Sequence, residues 1–125
     1  SYESTVSKPV QPIRDFNDQI GKAVKDAPAS AITLAWQMVI QEIAAATCQS
    51  GLASRDSFVV TVRRLRDENC IDRAFANDLE KLARMLRHSE AVQAAGRDID
   101  TRNARQYVAL AVTAAEKLHN LHLAA

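Results

Sequence analysis

LEKLARMLRHSEAVQAAG, Leu79–Gly96, joins an apolar stripe to a polar cluster. Leu79, Leu82, Met85 and Leu86 recur at the spacing that puts side chains on one face of an α-helix. The stripe runs into Arg87, His88, Ser89 and Glu90, and Gly96 marks the break. This reading predicts a core helix that delivers a site-like group of polar side chains at its end. Asp72 is placed to cap that helix, and Phe75 begins its buried face.

The same period extends in both directions. Upstream, Asn69 and Cys70 interrupt a helix capped by Ser54, with Phe58, Val59, Val62 and Leu65 inward and Arg63, Arg64 and Arg66 largely on the other side. Before it, Pro28 suits the first turn of a long helix with the stripe Ile32, Ala35, Trp36, Val39, Ile40, Ile43 and Ala46, running to Thr47 and stopped by Gly51. Ile13, Phe16, Ile20 and Val24 outline a short leading helix that ends at Asp26-Ala27-Pro28. Downstream, Asp100 caps a last helix carrying Ala104, Tyr107, Val108, Ala111, Val112, Ala115, Leu118 and Leu121. The expected architecture is all-α: a four-helix up-and-down bundle with a short additional N-terminal helix. Residues 1–12 are expected as a flexible arm and residues 13–125 as a single domain.

Composition bounds the function classes. A chain of 125 residues is long enough for one self-sufficient core, and three Gly and three Pro leave its helices little interrupted. A net charge of +1 gives no overall attraction to nucleic acid or an anionic membrane, so any basic surface must be local. No apolar run is long enough to span a bilayer. The chain begins at Ser1 without an initiator Met and is read as a processed product or part of a longer protein. A cytoplasmic location is expected, either free or as the cytoplasmic domain of a larger or membrane-anchored protein.

Cys48 and Cys70 are read as free, small apolar residues rather than nucleophiles. Gly21, Gly51 and Gly96 stand alone, which excludes a P-loop. His88, His119 and His122 form no His-x-x-x-His pair, and neither a metal nor a cofactor is expected. Trp36 reads as a core anchor, Tyr107 as packed with its hydroxyl at the bundle edge, and His119 as helix-end stabilisation. Glu80 and Arg84 stand in the favourable order for an intrahelical pair. Arg63, Arg64 and Arg66 would join Arg97, Arg102 and Arg105 in a basic patch if the third helix packed near the start of the fifth.

The order of Ala35-Trp36, Arg64-Leu65-Arg66-Asp67, Ile71-Asp72, Leu82 to Gly96 and Ala104-Arg105-Gln106-Tyr107-Val108 resembles the HEPN superfamily of small α-helical bundles. The likeness runs from Ala29 to Leu121 and is to an uncharacterised bacterial branch often found in membrane-associated or multidomain proteins. In active members an Arg, usually followed by a polar residue, precedes a His with four to six residues between them. Two subunits then combine these pairs into a ribonuclease site. The resemblance makes Arg87 that Arg, with His88 and Ser89 at the polar position, but Val92, Gln93 and Ala94 occupy the places where the His belongs.

RNA cleavage needs a group that titrates near neutral pH to move the 2′-hydroxyl proton, and Gln93 cannot do so. Arg87 can still hold a phosphate. His88 follows Arg87 directly, so on a continuing helix the two side chains point about 100° apart. The expected function is therefore a non-catalytic interaction or sensing domain of a larger bacterial protein. It would act as a homodimer that binds RNA or nucleotide phosphates weakly through Arg84, Arg87, His88, Ser89 and Gln93. Two alternatives stand beside it: a metal-independent endoribonuclease using Arg87 and His88, and a structural dimerisation or adaptor module using an exposed stripe of the last helix. A protein partner or further domains before Ser1 fit any of the three.

Overall fold

The computed structural model describes residues 11–121, with side chains from residue 16 onward. The expected arm up to residue 10, the side chain of Ile13, and His122 lie outside the described residues. The rest is helical: α1 (Gln11–Asp26), α2 (Pro28–Thr47), α3 (Arg55–Asp67), α4 (Arg73–Ala94) and α5 (Thr101–His119), with no strand among the described residues.

The helix starts follow from local chemistry. Ser54 accepts the Ser57 amide N–H at 3.3 Å, Asp72 that of Phe75 at 2.7 Å and Asp100 that of Arg102 at 3.0 Å, each satisfying a donor that the first turn leaves open. Pro28 sits at the first helical position of α2, where its missing N–H costs nothing. The end of α2 differs from expectation. Gly51 is not the stop; Cys48 turns into the left-handed region at φ 54° and donates its N–H to the Ala44 carbonyl. Asn69 plays a similar left-handed part between α3 and α4 at φ 59°.

The core is one cluster drawn from all five helices. α2 packs most extensively on α5, α1 lies against both, α3 pairs with α4, and α4 reaches α5 and α2. Buried alanines on α2 (Ala31, Ala35) and on α5 (Ala104, Ala111, Ala114, Ala115) keep the central pair slim. The leading helix is no appendage: at 16 residues α1 is longer than the 13-residue α3, and Ile20 and Val24 are buried. Trp36 of α2 meets Phe58 of α3 with ring centroids 4.7 Å apart and planes tilted by 59°, fixing the α3–α4 pair to the rest.

Candidate functional site

α4 positions every one of the expected site residues, and because it continues unbroken to Ala94 it sends them in different directions. Arg84 and Arg87, three residues apart, share the face turned toward α3 and line a groove of about 550 Å3 with Arg55, Arg63, Val59 and Val60. His88 and Ser89 are turned away from Arg87, into a cavity of about 440 Å3 between α4 and α5 that Arg84 also borders. Gln93 faces the start of α2, near Thr33 and Gln37. The structure thus brings Arg84 together with Arg87 in the groove, and Arg84 together with His88 and Ser89 in the cavity. It does not bring Arg87 together with His88 or Gln93.

Hydrogen bonding sharpens the division. The Gln93 side-chain amide donates to the Ser89 carbonyl and hydroxyl, both at 3.4 Å, so it is occupied within its own helix. Ser89 is buried. Glu80 does not pair with Arg84; it accepts from Arg63 of α3, at 3.0 Å from Nη2 and 3.2 Å from Nε. Arg55 at the start of α3 pairs with Glu90 near the end of α4. The two cross-links nest about the turn at residues 68–72, as an antiparallel helix pair requires. They use up Glu80 and Glu90, and neither Arg84 nor Arg87 has a carboxylate partner among the described residues.

The groove therefore carries four arginines against the carboxylates of Asp56 and Glu80, with two guanidinium groups uncommitted and exposed. Such a surface attracts anions, and planar guanidinium groups suit phosphate oxygens. No imidazole of the described residues lines it. The other expected basic patch does not form, because α3 packs on α4 rather than on the start of α5. Its three arginines diverge: Arg63 to Glu80, Arg66 to Asp67 at 3.1 Å, and Arg64 to Gln49, whose side-chain oxygen, turned toward it, lies 2.8 and 2.9 Å from the two Nη atoms.

Two further polar features lie in the interior. Tyr107 does not reach the bundle edge: it is buried between helices and its hydroxyl has no hydrogen-bond partner. Burial, with a smaller push from the Glu90 carboxylate, raises its phenol far above the ordinary value. Buried Glu42 of α2 sits 2.9 Å from His119 Nδ1, so that histidine ties α5 to α2 instead of merely ending a helix. Arg55 carries no local signal of its pairing with Glu90, and helical periodicity places Arg63 on the solvent side. The signal available was the short 68–72 turn, which pairs positions equidistant from it.

No cluster of His, Cys, Asp and Glu among the described residues can hold a metal ion. No described helix is long and apolar enough to cross a membrane. No protein-family model, curated protein or solved structure matches the chain.

Proposed function

We propose that this protein is a non-catalytic binding module that holds phosphate-bearing ligands, RNA or nucleotides, in the α3–α4 groove. The observation that carries this reading is the pair of unpartnered, exposed guanidinium groups of Arg84 and Arg87, one turn apart above Arg55 and Arg63. Binding without cleavage follows from the chemistry of the groove. Arginines stabilise phosphate charge but exchange no protons at neutral pH, and His88 opens into the other cavity. A HEPN-like relationship agrees with this reading, Arg87 keeping the superfamily's phosphate contact while the imidazole is gone. So do an up-and-down order of the four longer-read helices, a homodimer, and a place in the cytoplasm within a larger bacterial protein.

The reading is tested by titrating the protein with a short single-stranded RNA and with ATP at low and moderate salt. Saturable binding that weakens with salt, and about tenfold on Arg84→Ala or Arg87→Ala, is the expected result. Binding that neither substitution changes removes the groove from consideration. Incubation with mixed cellular RNA separates the ribonuclease alternative: cleavage by the wild type that Arg87→Ala abolishes would replace the binding reading. No affinity for either ligand would favour the structural adaptor. Light scattering across a concentration series reads the dimer directly.

A further inference from the structure

The α4–α5 cavity is separate from the arginine groove in all but one of its walls and has a different chemistry. Its interior surface is mainly apolar, from Ile32 of α2, Met85 and Val92 of α4, Ile99 of the connection and the ring of Tyr107, with His88, Ser89 and Asn103 as polar members of the wall. At about 440 Å3 it falls within the size range of small-molecule sites. Its rim carries both signs of charge, Arg84 on α4 against Asp98 and Asp100 on the facing connection. Asp100 is half committed, since its Oδ1 caps α5. One guanidinium faces two carboxylates, so neither a monoanion nor a monocation is matched by every charge of the rim, and a neutral body enters without giving up the hydration of a charge.

The second observation is the Tyr107 hydroxyl. Tyr107 is 1% exposed, lines this cavity and leaves its hydroxyl without any hydrogen-bond partner. An orphaned hydroxyl in a packed interior is costly, and native cores leave few of them without a reason. Because its environment disfavours the phenolate, the group stands as an O–H donor in need of an acceptor. A carbonyl oxygen is the acceptor that an otherwise apolar molecule carries at least expense. The hydroxyl is closed to water at present, so an incoming carbonyl reaches it after a side chain of the lining yields. Met85, half-buried and unbranched, is an apolar lining residue with the rotational freedom to do so.

We infer that the α4–α5 cavity is a binding site for a small neutral molecule with an apolar body and a carbonyl group, its oxygen accepting the Tyr107 hydroxyl. The site is independent of the phosphate reading: a chain that binds no RNA at all would still have it.

Acetophenone serves as the probe, with ethylbenzene as its carbonyl-free counterpart and benzoate and benzylammonium as charged ones. Each is titrated at millimolar concentration into isotopically labelled protein and followed by amide and methyl chemical shifts. Acetophenone is expected to shift Met85, Val92, Ile99 and Tyr107 saturably and to bind more tightly than the other three. Tyr107→Phe is expected to weaken acetophenone about fivefold while leaving ethylbenzene unchanged. Val92→Phe, which fills the cavity from one side, is expected to abolish both. The inference is overturned if acetophenone does not bind, if its shifts fall elsewhere, if either charged probe binds more tightly, or if Tyr107→Phe binds acetophenone as well as the wild type does. Shifts confined to Arg55, Arg63 and Arg87 would place the probe in the groove and likewise overturn it.

Discussion

Glu42 and His119 form the polar contact on which the α2–α5 seam most depends. The Glu42 carboxylate is buried and His119 Nδ1 lies 2.9 Å from it. Removing the imidazole leaves a buried carboxylate with no partner, so His119→Ala is expected to cost about 2 kcal/mol in urea unfolding. Glu42→Gln, which keeps an acceptor without the charge, is expected to cost less; equal losses would show that the contact depends on the charge rather than on the acceptor alone. Tyr107 makes a second prediction. Its phenol is held well above the ordinary value, chiefly by burial, whereas in the unfolded chain it ionises near pH of about 10. The folded state thus keeps a proton that the unfolded state releases, so this contribution is complete below that pH and is lost as pH rises beyond it. Between about pH 9 and pH 11 the wild type is expected to lose more stability than Tyr107→Phe, and parallel losses in the two proteins would refute the assignment. Neither residue's role was legible in the sequence. Nothing local connects His119 to a glutamate in α2, so its sequence position points only to helix-end stabilisation, and stripe periodicity says which way the Tyr107 side chain points but not how deep it ends.

Element boundaries were the most legible level, because a cap and its helix lie within a few residues of each other. Ser54, Asp72 and Asp100 all accept a first-turn amide as their residue types and positions imply. Asp72, with the shortest of these bonds at 2.7 Å, is expected to lose about 1 kcal/mol of stability on substitution to Ala, and Ser54→Ala less, as read by thermal or urea unfolding. The end of α2 was legible in place but not in agent. Gly51 offers the residue type that favours a left-handed turn, yet the chain makes that turn first at Cys48, φ 54°. An L-residue is strained there, so Cys48→Gly is expected to raise stability by about 0.5–1 kcal/mol, and a decrease would show that Cys48 contributes packing that its exposed position does not suggest. The short turn between α3 and α4 has a larger consequence. It folds the two helices back so that Arg63 meets Glu80 and Arg55 meets Glu90, and that pairing is what leaves Arg84 and Arg87 free.

Across the molecule, the slim seam between α2 and α5 decides how the other helices are arranged. Ala31 and Ala35 on one helix and Ala104, Ala111, Ala114 and Ala115 on the other are all buried, leaving no room for larger side chains. Ala111→Leu is expected to destabilise by about 1–3 kcal/mol, measured by urea unfolding, although leucine is the more hydrophobic residue; a gain in stability would reveal unfilled space along the seam. The amino-acid sequence by itself determined that the chain is all-α, where four of its helices begin, which faces they bury, and that α4 carries the polar residues at its far end. Periodicity and capping are local properties, and both can be read from neighbours along the chain. Only the tertiary structure decided that α1 shares the core, that Glu80 reaches across to α3, that Tyr107 lies orphaned in the interior, and that Arg87 and His88 open onto different cavities. These outcomes depend on which helix occupies the space opposite each face, a competition among partners remote in sequence that no local pattern records.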